Sequence, residues 1–486
     1  MTTESQRTGV EKAARGIWVI VGFLVAVEFA SGILQGYYTP IFSDLADHLG
    51  VSDADLNWLE AGQLIVSALC VPPLARLGDL IGHKKVLLLA TGITALATWW
   101  TVVAPDFGSF LVAWSIQGAY VIWLPLEVAI VHKRTGGDTA LTRRAAGVLV
   151  GALQVSVIIG AIAAGALVGI LPMWAILSFP AVAVTAVFVV IAVGIEPDSG
   201  TSGGAFDWLG LTVLSLVLGL VMAGLVGVRV LGAGSVLAWG LVVLGLLTLV
   251  PFWRIETALD DAGGREPLID VRLLVSRAQW PIQLTAFLFG MSVLGAQIPL
   301  STFARTSPDE AGFGLGADAS FVSLLIAEYV IAMAISAFTL PLWARFLGPV
   351  RAQAFACFLV ATGYLMWLPF HDSTGQGLLN MAVVGLGSGA LVASLPAAAA
   401  AAAPSSRTAF ATGMTNATKT VGGAIASAVF AIALAADGSI AGEAHAPLSG
   451  YLTVWAVCGI TALVAGLLLL LPRRTTSAGY TFPRWR

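Results

Sequence analysis

Charge is what this chain has least of. Only 10% of its 486 residues are Asp, Glu, Lys or Arg, against 58% hydrophobic, where a soluble domain carries about 25% charged residues. So much apolar surface cannot be hidden inside one globule of this length and requires lipid as its solvent. Cysteine is nearly absent. Cys70, Cys357 and Cys458 each stand alone in apolar runs, without the spacing of a disulfide framework or a zinc set, and read as small packing residues. The net charge of −3 lacks the basic excess that a nucleic-acid partner demands. His48, His83, His132, His371 and His445 fall in loops or at helix ends, so no metal is expected. No GxxxxGK[ST] phosphate loop, HExxH or nucleophile elbow occurs, which argues against an ATP motor, an enzyme or any cofactor.

What is present is a series of long apolar runs. A spanning helix needs roughly 20 mostly apolar residues. Fourteen runs qualify, near 16–38, 55–75, 86–104, 108–131, 145–170, 173–195, 208–228, 232–253, 279–303, 318–342, 352–370, 376–398, 410–436 and 450–471. The first is too long for a signal-peptide core and no small-residue cleavage site comes after it, so it reads as a retained helix. Charge placement fits this count. With the N-terminus inside, every Lys and Arg except Arg229 and Arg305 falls on the cytoplasmic side, as bacterial membrane proteins require. The loop holding Asp44, Asp47, Asp53 and Asp55 carries no base and lies outside. The expectation is an all-α integral membrane protein of the bacterial cytoplasmic (inner) membrane, with both termini cytoplasmic.

An internal repeat divides the chain. Pro73-Leu74-Ala75-Arg76-Leu77-Gly78 follows the second run, and Pro341-Leu342-Trp343-Ala344-Arg345-Phe346-Leu347-Gly348 follows the tenth. The tenth run is the second of the last six. The match therefore predicts two six-helix bundles, 1–195 and 278–486, with two helices and their linkers (196–277) inserted between them. Glu60 and Glu328 each lie thirteen residues before the proline of the phrase, ~20 Å from the inner end of the helix at 1.5 Å per residue.

Residues 75–88 read ARLGDLIGHKKVLL. Asp79, Gly82, His83, Lys84 and Lys85 resemble the acid, glycine and basic cluster between the second and third helices of the major facilitator superfamily. Phe206-Asp207-Trp208-Leu209-Gly210, Pro267-Leu268-Ile269-Asp270 and Thr415-Asn416-Ala417-Thr418-Lys419 with Gly422-Gly423 are similar to its fourteen-span drug/proton antiporter branch. The resemblance implies the major facilitator fold, a loop motif that helps switch conformation, and a monomer. Two family features are missing. Trp114 stands where the fourth helix carries an arginine, and Gly160 to Gly165 lacks the fifth-helix proline. The acid that the branch carries late in its first helix aligns with Ser31, with Glu28 one turn earlier.

Ionisable groups at mid-helix cost at least ~2.5–3.5 kcal/mol and usually mark a pathway. Glu28, Glu60, Glu127 and Glu328 fall within runs and are candidates for proton coupling or substrate recognition, Glu28 and Glu328 foremost by depth. Glu127 can alternatively pair with Lys133 and Arg134 as a structural group. Gln35, two turns after Glu28, and Gln117 are candidate cavity residues. Trp114 is a candidate stacking surface for a ligand. Trp58, Trp174 and Trp280 read as interface anchors. The reading is a secondary transporter exporting a small amphipathic or cationic compound against protons. Metabolite uptake, lipid export and a non-transporting membrane scaffold are the alternatives.

Overall fold

The computed structural model describes residues 2–136, 138–200, 207–262, 267–404, 407–435 and 446–471, with side chains described from Trp18 onward. Of the expected cytoplasmic positions, Arg7, Lys12 and Arg15 precede the described side chains, and Arg265, Arg473, Arg474, Arg484 and Arg486, together with Phe206 and His445, lie outside the described residues. Every regular element among the described residues is helical. The long helices are α1 (Thr2–Gly36), α2 (Asp53–Ile81), α3 (His83–Val103), α4 (Phe107–Arg134), α5 (Thr139–Leu167), α6 (Met173–Gly194), α7 (Trp208–Leu231), α8 (Val236–Asp261), α9 (Trp280–Arg305), α10 (Ala319–Leu347), α11 (Pro349–Met366), α12 (Thr374–Ala401), α13 (Thr408–Ala433) and α14 (Leu448–Leu470). Twelve of them, all but α11 and α13, are long and apolar enough to cross a membrane. Arg351 and Gln353 dilute the apolar character of α11, as Asn416 and Lys419 do that of α13. Both nevertheless sit in the bundle, α11 against α12 and α14, and α13 against α9 and α2.

Several of the scarce acids serve at helix starts. Asp106, Asp138, Asp207 and Asp318 each accept a hydrogen bond from a first-turn amide, and Ser373 forms a capping box with Gln376 before α12. These satisfy donors that have no intrahelical partner. Prolines interrupt three helices by removing an amide donor. α4 narrows to a 3-10 turn at Gly118–Ile122, ahead of Pro125. α8 breaks between Leu247 and Leu249, ahead of Pro251, and α9 between Val293 and Gln297, ahead of Pro299.

Two hydrophobic cores result, one built from α1 to α6 and one from α9 to α14. Their internal pairings match. α1 packs on α5, α2 on α4 and α3 on α6, as α9 packs on α13, α10 on α12 and α11 on α14. Across the two sets α2 meets α13 and α5 meets α10, again a matched pair. α7 and α8 pack on each other, and α7 leans on α13 and α2.

Hydrogen bonds joining the two sets gather at the end that carries Asp44 and Asp318. Arg305 Nη2 donates to Asp44 Oδ1 at 3.0 Å, Ser301 Oγ donates to the Thr39 carbonyl, and Ser323 Oγ donates to the Ala161 carbonyl at 2.7 Å. A Cβ on Gly165 would stand 2.3 Å from Ser323 Oγ and 2.9 Å from the Ala319 carbonyl, so glycine is what lets α5 and α10 touch here.

Two expectations need correction. The repeated phrases do not follow their helices but belong to them: Pro73 and Pro341 lie inside α2 and α10, and α2 runs on to Ile81. The turn after it is Gly82 alone, at φ 105°, a conformation that only glycine adopts readily. Trp58 is no interface anchor. It is buried against Ala61, Ala428 and Ala431 where α2 meets α13, whereas Trp174 and Trp280 are exposed.

Candidate functional site

Three of the four candidate glutamates belong to one set of helices. Glu28 of α1 and Glu127 of α4 are fully buried, and their carboxyl groups face each other within interaction range. No oxygen of either finds another donor. A carboxylate has no hydrogen to give, so these two facing carboxyls can hydrogen-bond only when one of them carries a proton. Lys133 and Arg134 do not reach Glu127. Lys133 Nζ lies 3.4 Å from Asp198 Oδ2 and Arg134 Nη1 lies 2.7 Å from Glu196 Oε2. The structural ion pair weighed for Glu127 therefore does not form.

The 3-10 turn of α4 assembles this cluster. Gly118 opens it where α2 crosses: a Cβ there would stand 2.3 Å from the Gln63 carbonyl, and Ser67 Oγ donates to the Gly118 carbonyl at 2.9 Å. The turn carries Tyr120, which lies within electrostatic reach of both Glu28 and Glu60. Glu60 is buried on α2. Tyr120 thus lies near both the Glu28–Glu127 pair and Glu60, and nothing in its sequence context singles it out.

Gln117 is fully buried beside Tyr38, its amide without a well-aligned partner. Gln35 is exposed, and its amide donates to Ser31 Oγ at 3.3 Å. Trp114 is 2% exposed. Phe110 stacks on it at 5.8 Å between centroids, Tyr38 meets it edge-on at 4.5 Å, and Phe42 lies at 6.1 Å. Its faces are covered by the protein's own rings, so in this conformation Trp114 is a packing residue and not an open stacking surface. Glu328 stands apart on α10, half-buried, with Oε2 unpartnered. It matches Glu60 in sequence register but not in surroundings.

The loop motif is held by a residue outside it. Asp198, which follows α6, accepts from the amides of His83 (3.0 Å) and Lys84 (2.9 Å) and lies 3.0 Å from His83 Nδ1. Burial opposes its charge, but the two amides at the start of α3, His83 and Lys133 together hold the carboxyl far below the usual carboxylate range. His83 Nε2 lies 3.3 Å from Asp79, which is itself exposed. Lys84 Nζ donates to the Ala192 carbonyl at 2.9 Å, and Lys85 is exposed. A second carboxyl pair ties two of the other three motifs together, those around Asp207 and Ile269. Asp207 faces Glu256 of α8, and Glu256 Oε2 accepts from the Ile269 amide at 3.0 Å. Among the described residues no group of three or more His, Cys, Asp or Glu is placed to hold a metal ion.

The model of the Major Facilitator Superfamily matches residues 24–427. A uridine/deoxyuridine transporter of Lactococcus lactis subsp. cremoris is 22% identical over 67% of this chain and 68% of its own. A triacylglyceride transporter of Mycobacterium tuberculosis is 26% identical over 74% and 68%, and the multidrug transporter protein MdtP of Bacillus subtilis is 24% identical over 78% and 68%. Among solved structures, an auto-inhibited POT family peptide transporter superposes with a TM-score of 0.67 at 16% identity, covering 96% of this chain and 98% of its own. The nucleoside transporter NupG gives 0.61 at 13% identity, covering 93% and 98%.

Proposed function

The chain belongs to the major facilitator superfamily, and from that premise we propose that it is a secondary active transporter exporting a small amphipathic or cationic compound in exchange for protons by alternating access. It is a multi-pass membrane protein of a transporter family and not an enzyme. The reading extends to fourteen spans with both termini cytoplasmic, in the bacterial inner membrane. It divides them into bundles 1–195 and 278–486 around an inserted pair at 196–277, and a single copy suffices. The matched helix pairings support that division, and the junctions at the acidic end support a state closed toward the outside.

The observation that carries the proton step is the Glu28–Glu127 pair. Holding one proton between them, the two carboxyls keep one net negative charge in a dry site. A second proton or a cationic group on the substrate neutralises that charge equally well, and both cannot do so at once. Competition for one charge vacancy is what exchange requires. Glu60 and Tyr120 offer a route from the pair toward the outer half of α2. Glu328, half-buried and unpartnered on the opposite bundle, is the group assigned to meet the cation.

A second reading keeps the fold and changes the cargo. The relatives named for uridine/deoxyuridine and triacylglyceride transport favour metabolite movement or lipid export as its content. Proteoliposomes carrying the purified chain separate the readings, with a pH gradient imposed and a panel of cationic dyes, a nucleoside and a fluorescent glyceride followed in parallel. Gradient-driven dye flux that Glu28→Gln and Glu127→Gln both abolish supports exchange. Flux of any solute at equal rates with and without the gradient overturns it.

A further inference from the structure

A groove of about 670 Å³ runs between α2, α4 and α7, along residues 55–66, 107–115 and 222–230. That volume lies in the range of small-molecule sites, about 300–1,000 Å³. The groove is graded along its length. One end holds Asp55 and Arg229, and Trp58, Val66, Leu111 and Val226 make an apolar wall beyond them. From residue 55 to residue 66 an α-helix rises about 16 Å, close to the depth of one leaflet of a bilayer core about 30 Å thick. A polar end at the helix termini and an apolar trough one leaflet deep are the dimensions of a lipid standing upright.

Hydrogen bonding at the polar end is unfinished on the donor side. Arg229 Nη2 donates to Asp55 Oδ1 at 3.2 Å, and Asp55 Oδ2 already accepts from Ser52 Oγ at 2.7 Å. Arg229 Nε is buried with no acceptor, while a quarter of the side chain, 26%, stays exposed. One carboxylate oxygen is the only acceptor among the described residues for a partly exposed guanidinium with five donors. We infer that the groove binds a diacyl phospholipid of the surrounding leaflet, its phosphate oxygens on the exposed edge of the Arg229 guanidinium and one acyl chain along the wall formed by α2, α4 and α7. The phosphate diester adds acceptor oxygens to the single one that Asp55 offers Arg229, and the acyl chain covers Val226, which is 42% exposed. Such a lipid would splint α7 onto α2 and α4. The inference concerns a resident lipid and does not depend on what the protein transports.

The test uses the full chain in lipid nanodiscs with a diacyl phosphatidylglycerol carrying a diazirine in its acyl chain, and with the matching diacylglycerol. Crosslinked peptides are read by mass spectrometry. Phosphatidylglycerol labels peptides covering 55–66, 107–115 and 222–230 above the exposed α6 surface around Val182, Val189 and Val193. Arg229→Gln lowers this labelling about fivefold, the scale of one hydrogen bond. Val226→Trp, which fills the trough, removes it while labelling of α6 stays the same. Groove labelling no higher than that of α6, labelling by diacylglycerol equal to that by the phospholipid, or a folded Arg229→Gln protein labelled like the parent overturns the proposal. If Arg229→Gln does not fold, Val226→Trp and the diacylglycerol arm decide.

Discussion

The carboxyl group of Glu28 on α1 faces that of Glu127 on α4, and each is fully buried with no hydrogen-bond donor from the rest of the described residues. The pair exists because the helix carrying Glu127 restarts after a 3-10 turn. Five residues at tighter pitch, Gly118–Ile122, swing the register of the helical segment beyond them.

Replacing Glu127 with Gln keeps a donor for Glu28 but removes the exchangeable proton. Glu127→Gln should fold normally and still bind a cationic dye. It should lose at least about tenfold in gradient-driven flux, about 1.4 kcal/mol or more in the coupled step. Flux in reconstituted vesicles, with and without a pH gradient, provides the check. An unchanged ratio of the two rates would remove the pair from the proton path.

Glu328 is half-buried and unpaired on the opposite bundle, so its expected contribution is to the charge of the substrate. Glu328→Gln should raise the KM for a cationic dye about fivefold to tenfold, or about 1–1.4 kcal/mol, and leave a neutral solute of similar size unchanged. Equal effects on both solutes would assign Glu328 to structure.

Much of the architecture is legible in the sequence because lipid leaves the backbone few choices. Even the two bases that fall on the acidic side are accounted for: Arg229 pairs with Asp55 and Arg305 with Asp44. Side-chain partnerships across helices are less legible. Glu28 and Glu127 meet only because α4 changes pitch, and Asp198 reaches the His83–Lys84 amides from the far end of α6. Trp114 reads as a ligand surface because its position is compared with an arginine, while the rings that cover it come from α4 itself and from Tyr38 and Phe42. The register shared by Glu60 and Glu328 is visible, but their unequal burial depends on neighbours that the repeat does not specify.

Trp114 should behave in the opposite sense to a binding residue. Trp114→Ala opens a cavity among Tyr38, Phe42 and Phe110 and should destabilise the protein by about 3–5 kcal/mol, seen as a lower melting temperature in detergent. Trp114→Phe should recover most of the loss without altering which dyes are transported. A shift in dye selectivity at unchanged stability would restore it as a ligand contact.

Asp198 fastens the start of α3, and its charge is what the amides hold. Because its carboxyl titrates below the ordinary Asp value in the fold, ionised Asp198 stabilises the fold fully above about pH 4. That stabilisation fades as pH falls through the native titration. Asp198→Asn should cost about 1.5–3 kcal/mol at neutral pH, the scale of hydrogen bonds to a charged group. The gap between variant and parent should narrow on acidification. Thermal unfolding of both proteins from pH 7 downward measures it, and a gap independent of pH would mean that the charge is not what matters.

At the acidic end α5 and α10 touch because Gly165 has no side chain to meet Ser323 Oγ and the Ala319 carbonyl. Valine there would place its Cβ against backbone on α10, which cannot yield as a flexible side chain would. Interfaces of this kind switch between discrete packings rather than stretching. Gly165→Val should therefore shift the population toward a state parted at that end instead of merely loosening it. Spin labels on Leu49→Cys and Asp309→Cys, on the two sides of the junction, report the separation by double electron–electron resonance. The variant should populate a longer distance, and Asp44→Asn, which removes the partner of Arg305 at the same end, should shift it in the same direction by a smaller amount. Unchanged distances in both variants would show that this end does not open by separating α5 from α10.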